Sequence, residues 1–175
     1  MRMKSLLFGL VAALALVPVA RGEDVTVKLS KVHMCCHKCV DGAQKTVALV
    51  DGASAVADST EGTVVITAHD AATAQKALDA LVKAGFYGEC KDAGYKVKAE
   101  TGAKGEKMQT LTVSGVHLCC PSCVKAVNKI LADVPGVTGN TAAKGVDSFK
   151  VTGDFKDSDV FTALQKGGLT GKEGE

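Results

Sequence analysis

The chain has 175 residues, 46% of them hydrophobic and only 4% aromatic, with seven cysteines and no tryptophan. Lys and Arg number 21 against 19 Asp and Glu, and so even a balance with so few aromatics excludes the basic, base-stacking footprint of a nucleic-acid binder. No Ser/His/Asp or paired-carboxylate arrangement recurs at matched places, so no catalytic machinery is evident and an enzyme is not expected.

In chain order, residues 1–22 read as a signal peptide and not as part of a fold. Arg2 and Lys4 form a positive start, Leu6 to Leu16 is almost continuously apolar, and Ala20-Arg21-Gly22 supplies the small residues a signal peptidase reads. The apolar run is shorter than the ~20 residues a membrane span needs, and Pro18 interrupts its end. Cleavage after Gly22 is therefore expected, placing the mature chain in the periplasm or outside the cell. No later segment is apolar enough to span a membrane, and the first cysteine, Cys35, lies too far along for lipid attachment. Without Arg2, Lys4 and Arg21 the mature chain carries 18 basic against 19 acidic residues.

Val27 and Leu29 alternate with polar residues as in a strand. The cysteine-rich run Met34-Cys35-Cys36-His37-Lys38-Cys39 follows, and Val40, Ala43, Val47 and Val50 then share one helical face. Asp51-Gly52 breaks that helix, and Ala53 to Asp58 and Thr63 to Ala68 form a predicted hairpin turning at Thr60-Glu61-Gly62. Asp70 is a predicted N-cap for a helix through about Ala84, with Leu78, Leu81 and Val82 facing inward and Gly85 ending it. Phe86 to Lys91 would be a short last strand. Residues 101–107 are rich in Gly and Lys without apolar period and read as a flexible linker. It would join a first domain, residues 23–100, to a second, residues 108–175.

The second domain repeats the first. Val32-His33-Met34-Cys35-Cys36-His37-Lys38-Cys39-Val40 reappears as Val116-His117-Leu118-Cys119-Cys120-Pro121-Ser122-Cys123-Val124, an offset of 84. Leu111 and Val113 stand for Val27 and Leu29, while Val124, Val127, Leu131 and Val134 repeat the helical face. A hairpin from about Thr138 to Thr152 and a helix from about Asp157 to Lys166 follow in the same order. Phe161, Leu164 and Gly168-Leu169 take the places of Leu78, Leu81 and Gly85-Phe86 at an offset of 83, so one residue was lost or gained between. The order βαββαβ, twice, predicts an α+β chain of two tandem ferredoxin-like sandwiches.

Each repeat places three sulfur donors within five residues, between a strand and a helix. Thiolates are soft ligands that select Cu(I), Zn(II) or Hg(II), and two cysteines separated by two residues bring both sulfurs onto one ion. Cys39 and Cys123 fall in the first turn of a helix, where unpaired N–H groups favour the thiolate. Disulfides between such near neighbours would remove little chain entropy, so a structural staple is a poor explanation.

The strand, Met-x-Cys-x-x-Cys loop and helix resemble the heavy-metal-associated domain of copper chaperones, metal-exporting ATPases and the periplasmic mercuric-ion binding protein. The resemblance covers nearly all of the mature chain in two tandem copies. It implies Cys36 and Cys39, and Cys120 and Cys123, as the metal ligands. It also implies a core role for Met34 and Leu118, and a wall beside the metal for Phe86 and Leu169. The chain departs from the pattern twice in each copy. His33 and His117 stand where the family has glycine, and Cys35 and Cys119 stand where it commonly has threonine. Cys35 and Cys119 would either add a third thiolate or face away from the ion, since adjacent residues of an extended loop point apart. His33 and His117 would either add an imidazole or lie at the surface, bonded to backbone. His37, between two ligands, is expected in solvent. Cys90, near the end of the first domain's last strand, reads as a small strand residue, with an intermolecular disulfide as the other reading.

The expected function is binding of a soft metal ion outside the cytoplasm through the CCxxC loops. The ion would be passed to a metal-transporting membrane protein or sequestered. The resemblance ranks Cu(I) first, with Zn(II) or Hg(II) behind it. The alternative is a thiol–disulfide redox protein cycling the Cys36/Cys39 and Cys120/Cys123 pairs.

Overall fold

The computed structural model describes residues 23–174; the predicted signal peptide lies outside the described residues. The first unit runs β1 (Val25–Ser30), α1 (His37–Ala48), β2 (Ala53–Asp58), β3 (Thr63–Ala68), α2 (Ala71–Lys83) and β4 (Glu89–Cys90). The second runs β5 (Lys107–Ser114), α3 (Pro121–Ala132), β6 (Val137–Asn140), β7 (Ser148–Lys156), α4 (Asp157–Lys166) and β8 (Lys172–Glu173). The sheets are antiparallel, ordered β2-β3-β1-β4 and β6-β7-β5-β8. Two helices complete each sandwich, the arrangement expected from the repeat.

The sequence pattern explains each layer. In β1, Val27 and Leu29 are buried while Thr26 and Lys28 are exposed, and Leu111 and Val113 do the same in β5 among more exposed neighbours. Cys39, Ala43 and Val47 line the inner face of α1, as Cys123, Val127 and Leu131 line that of α3. Asp70 caps α2 as expected, its carboxylate accepting from the Thr73 amide at 2.7 Å. Of the expected Phe86–Lys91 only Glu89–Cys90 joins the first sheet, and Lys172–Glu173, where the composition suggests a frayed tail, pairs with β5 in the second.

Strand register locates the length difference between the repeats. Val27 pairs with Ile66 and Leu111 with Val151, so β3 and β7 are offset by 85 while β1 and β5 are offset by 84. The added residue is Thr138, bulged out of β6 where pairing passes from Val137 to Gly139. Two residues are then lost, because β7 runs straight into α4 whereas His69 and Asp70 separate β3 from α2. The net difference of one conceals a gain of one and a loss of two.

The units also touch one another. Phe86 and Leu169, at matched positions, form an antiparallel bridge. The Thr170 amide donates to the Gly85 carbonyl at 3.0 Å, and the amides of Tyr87 and His33 donate to the Gly168 carbonyl at 3.2 and 3.1 Å. Gly85 and Gly168 permit this approach. Each has φ near +80° (86° and 78°), and a Cβ on either would lie 2.4 Å from a backbone oxygen of the other unit, that of Gly115 or of Lys31.

Candidate metal centre

In each repeat an extended residue, Cys36 (φ −165°, ψ 169°) or Cys120 (φ −151°, ψ 166°), forms the N-cap of the helix. Its carbonyl accepts from the amides of Cys39 and Val40, or of Cys123 and Val124, which turns the chain so that the third cysteine lies inward. Pro121 at the first turn of α3 needs no amide partner there. Cys39 and Cys123 are thus buried, Cys36, Cys119 and Cys120 half-buried, and Cys35 exposed.

Because the units meet through Phe86 and Leu169, the two loops face each other and all six loop sulfurs converge. Within a loop, Cys36 and Cys39 lie 3.9 Å apart and Cys120 and Cys123 3.6 Å apart, while Cys35 and Cys119 lie 3.8 Å from Cys39 and Cys123 respectively. Between loops the separations are as short: Cys35 to Cys120 3.3 Å, Cys35 to Cys123 and Cys39 to Cys119 3.4 Å, Cys39 to Cys123 3.7 Å, Cys36 to Cys120 3.8 Å. The sequence reading of two separate pairs gives way to one cluster shared by both units. Cys35 and Cys119 point into it. All seven cysteines are free thiols, and Cys90 stands apart in β4 with its sulfur near the Asp92 carbonyl.

His33 and His117 are neither surface residues nor bonded through their tips. The Nε2 of each is buried without a hydrogen-bond partner. The His33 ring reaches within 4.8 Å of the Cys35 and Cys123 sulfurs. The His117 ring stacks on Phe86 of the first unit with centroids 4.4 Å apart and lies over Gly42, where a Cβ would meet its Cε1 at 3.3 Å. A buried polar atom left unpaired costs about 1–3 kcal/mol, and the His33 ring bears this cost beside the sulfurs. His37 is exposed, as expected.

The thiols do not titrate independently. The Cys123 thiol, helped by His117 and the Cys35 backbone against the cost of burial, holds Cys39 far below the ordinary thiol range. Its partner Cys123 is pushed far up by donating to Cys39 and by burial. Cys39 and Cys123 occupy equivalent places, so the first negative charge belongs to the pair. Partial desolvation within the cluster, and donation to Cys120 by Cys35 and to Cys39 by Cys119, raise both thiols to about 12. For Cys120, burial is outweighed by hydrogen bonds from the Cys123 amide and the Cys35 thiol, bringing it down to about 6. Burial lowers the pKa of His33, with Cys39 opposing, so a neutral imidazole is favoured. A closed group of thiols holding few charges exchanges protons for cations on loading.

The donor set fits a soft ion. A metal–sulfur bond of about 2.3 Å puts the three sulfurs of a trigonal site about 4.0 Å apart and those of a linear site about 4.6 Å apart. The separations of 3.3 to 3.9 Å are too short for a linear site and suit three or four sulfurs around one ion, with slight expansion. Among the described residues no helix is long and apolar enough to cross a membrane.

No family model matches the chain, and no curated protein matches it. Among solved structures it is similar to a copper binding domain from HMA7, a P-type ATPase (21% identity, 39% of this chain and 96% of that one, TM-score 0.36). It is also similar to oxidized MerP from Ralstonia metallidurans CH34 (23%, 38% and 97%, TM-score 0.36). The N-terminal soluble domains of Bacillus subtilis CopA are aligned over 87% of this chain and 95% of that one, at 19% identity and a TM-score of 0.32.

Proposed function

We propose that this protein binds a soft metal ion outside the cytoplasm, Cu(I) first, through Cys35, Cys36, Cys39, Cys119, Cys120 and Cys123, and serves metal transfer or sequestration. The observation that carries the reading is the convergence of six free sulfurs at separations suited to a shared ion. Sulfur's polarisability favours soft ions, and the resemblance to heavy-metal-associated domains ranks Cu(I) ahead of Zn(II) and Hg(II), which compete for the same donors. The composition of residues 1–22 supports export. A metal-transporting membrane protein is the partner a transfer role would require.

Reduced protein mixed anaerobically with excess Cu(I) and desalted should retain copper. A variant with Cys36, Cys39, Cys120 and Cys123 all changed to Ser should retain less than a tenth of it. Undiminished retention by that variant would put the metal elsewhere.

A further inference from the structure

The six sulfurs have an arrangement that two independent sites would not require. Combining the separations above with the groups Cys35/Cys36/Cys120, Cys36/Cys39/Cys119 and Cys119/Cys120/Cys123, each within 4.8 Å, gives every sulfur four near neighbours. That is the connectivity of an octahedron, with Cys35 opposite Cys119, Cys36 opposite Cys123 and Cys39 opposite Cys120. Those three triangles, together with Cys35/Cys39/Cys123, are alternate faces of the octahedron. Each sulfur borders two of the four.

We infer that the two loops build one polynuclear Cu(I)–thiolate cluster, four ions on the alternate faces of the sulfur octahedron, and that the intact chain loads as a unit. The inference rests on the metal-binding reading above and goes beyond it in nuclearity and in the joint use of both repeats. Three sulfurs per ion and two ions per sulfur close the stoichiometry at four Cu(I) and six thiolates. On loading, up to six thiol protons leave to solvent, copper stays Cu(I), and the core carries a net charge of −2. Three of the four faces take sulfurs from both loops, so the ions clamp the units together across the Phe86–Leu169 bridge. The His33 ring, whose Nε2 has no partner, lies beside this charge, where an imidazole N–H finds a thiolate acceptor. Cys35 at the solvent edge leaves a way in.

The test is an anaerobic titration of the reduced full-length mature chain with a Cu(I)–acetonitrile salt. Metal content, native mass and the red emission of solvent-shielded Cu(I)–thiolate clusters are followed together. A monomer should pass from empty to about four Cu(I) with little one-ion species, and emission should rise in step. Changing Cys119, Cys120 and Cys123 to Ser should leave one ion or none and abolish emission, whereas Cys90→Ser should change nothing. If the triple variant unfolds, Cys119→Ser decides: a shared cluster loses at least two ions with that sulfur, and independent sites lose no more than one. Saturation at two ions, with one surviving in the triple variant, would overturn the cluster and leave metal binding standing. So would loading seen only in a dimer that shares loops between chains. A wild-type chain that takes up no Cu(I) overturns both readings.

Discussion

The two repeats solve the same packing problem with different materials, and the differences fall away from the sulfur cluster. Around the sulfurs the copies match nearly residue for residue: Cys36 and Cys120 cap their helices, Cys39 and Cys123 are buried, and Gly85 and Gly168 meet the opposite unit. At the other helices they part. α2 is capped by the exposed Asp70 and buries the small Ala74 and Ala77, whereas α4 buries Asp157 and Val160 in the equivalent places. Asp157 accepts from the Lys104 amide at 2.7 Å and the Ser158 amide at 2.5 Å, and so ties the connecting segment to the second unit. The Asp157 and Glu173 amides donate to the carbonyls of Glu106 and Thr101. The comparison teaches that paired geometry is kept where the halves must fit one another, while elsewhere each sandwich finds its own solution.

The strongest way to break the comparison is at the meeting of the units. Gly85→Ala and Gly168→Ala each force a side chain into left-handed backbone and into the other unit's main chain, so each should cost about 2 kcal/mol or more. The two losses should be nearly equal. Denaturant melts measure the cost, and small-angle scattering should show a larger radius for both variants. An unchanged radius would mean the contact does not hold the halves together.

A smaller effect should separate the repeats at acid pH. Burial opposes ionisation of Asp157, but the Lys104, Ser158, Gly105 and Glu106 amides outweigh it and hold its pKa below the ordinary carboxylate value. Its folded pKa being the lower, its stabilisation is fully present above the unfolded value of about 3.9 and is lost as pH falls through the folded one. Asp157→Asn should therefore destabilise the second unit by about 1–3 kcal/mol at neutral pH. The deficit should shrink below about pH 4. Thermal melts across that range check both; a pH-independent deficit would assign the effect to packing.

The smallest test changes the residues that follow β1 and β5. Lys31 adopts φ 59° where the second repeat has Gly115 at φ 75°. A Cβ on Gly115 would meet nothing within 4 Å. Gly115→Ala should then cost only the conformational penalty, about 1 kcal/mol, and Lys31→Gly should recover up to about the same. The exposed Lys31–Glu89 pair, 2.6 Å apart, should offset little of that gain.

Much of the fold was legible because its signals are local and stated twice. The alternation in β1, the spacing of Ala43 and Val47 in α1, and the Asp70 cap each act within a few residues. The offset between copies showed which cysteines are equivalent. It left the bulge at Thr138 and the direct passage from β7 to α4 hidden, because a gain and a loss partly cancel in a residue count. Cys35 and Cys119 could not be placed by alternation along one loop, since the sulfurs that receive them belong to the other.

The amino-acid order alone specified two ferredoxin-like sandwiches and the soft sulfur donors of their loops, because periodicity and side-chain chemistry are properties of short segments. Only the tertiary structure decided that the loops share one centre and that His33 and His117 turn inward beside it. The reason is that this interface is made by backbone approach at Gly85 and Gly168 and by the stacking of Phe86 on His117, interactions between distant residues that leave no period to read.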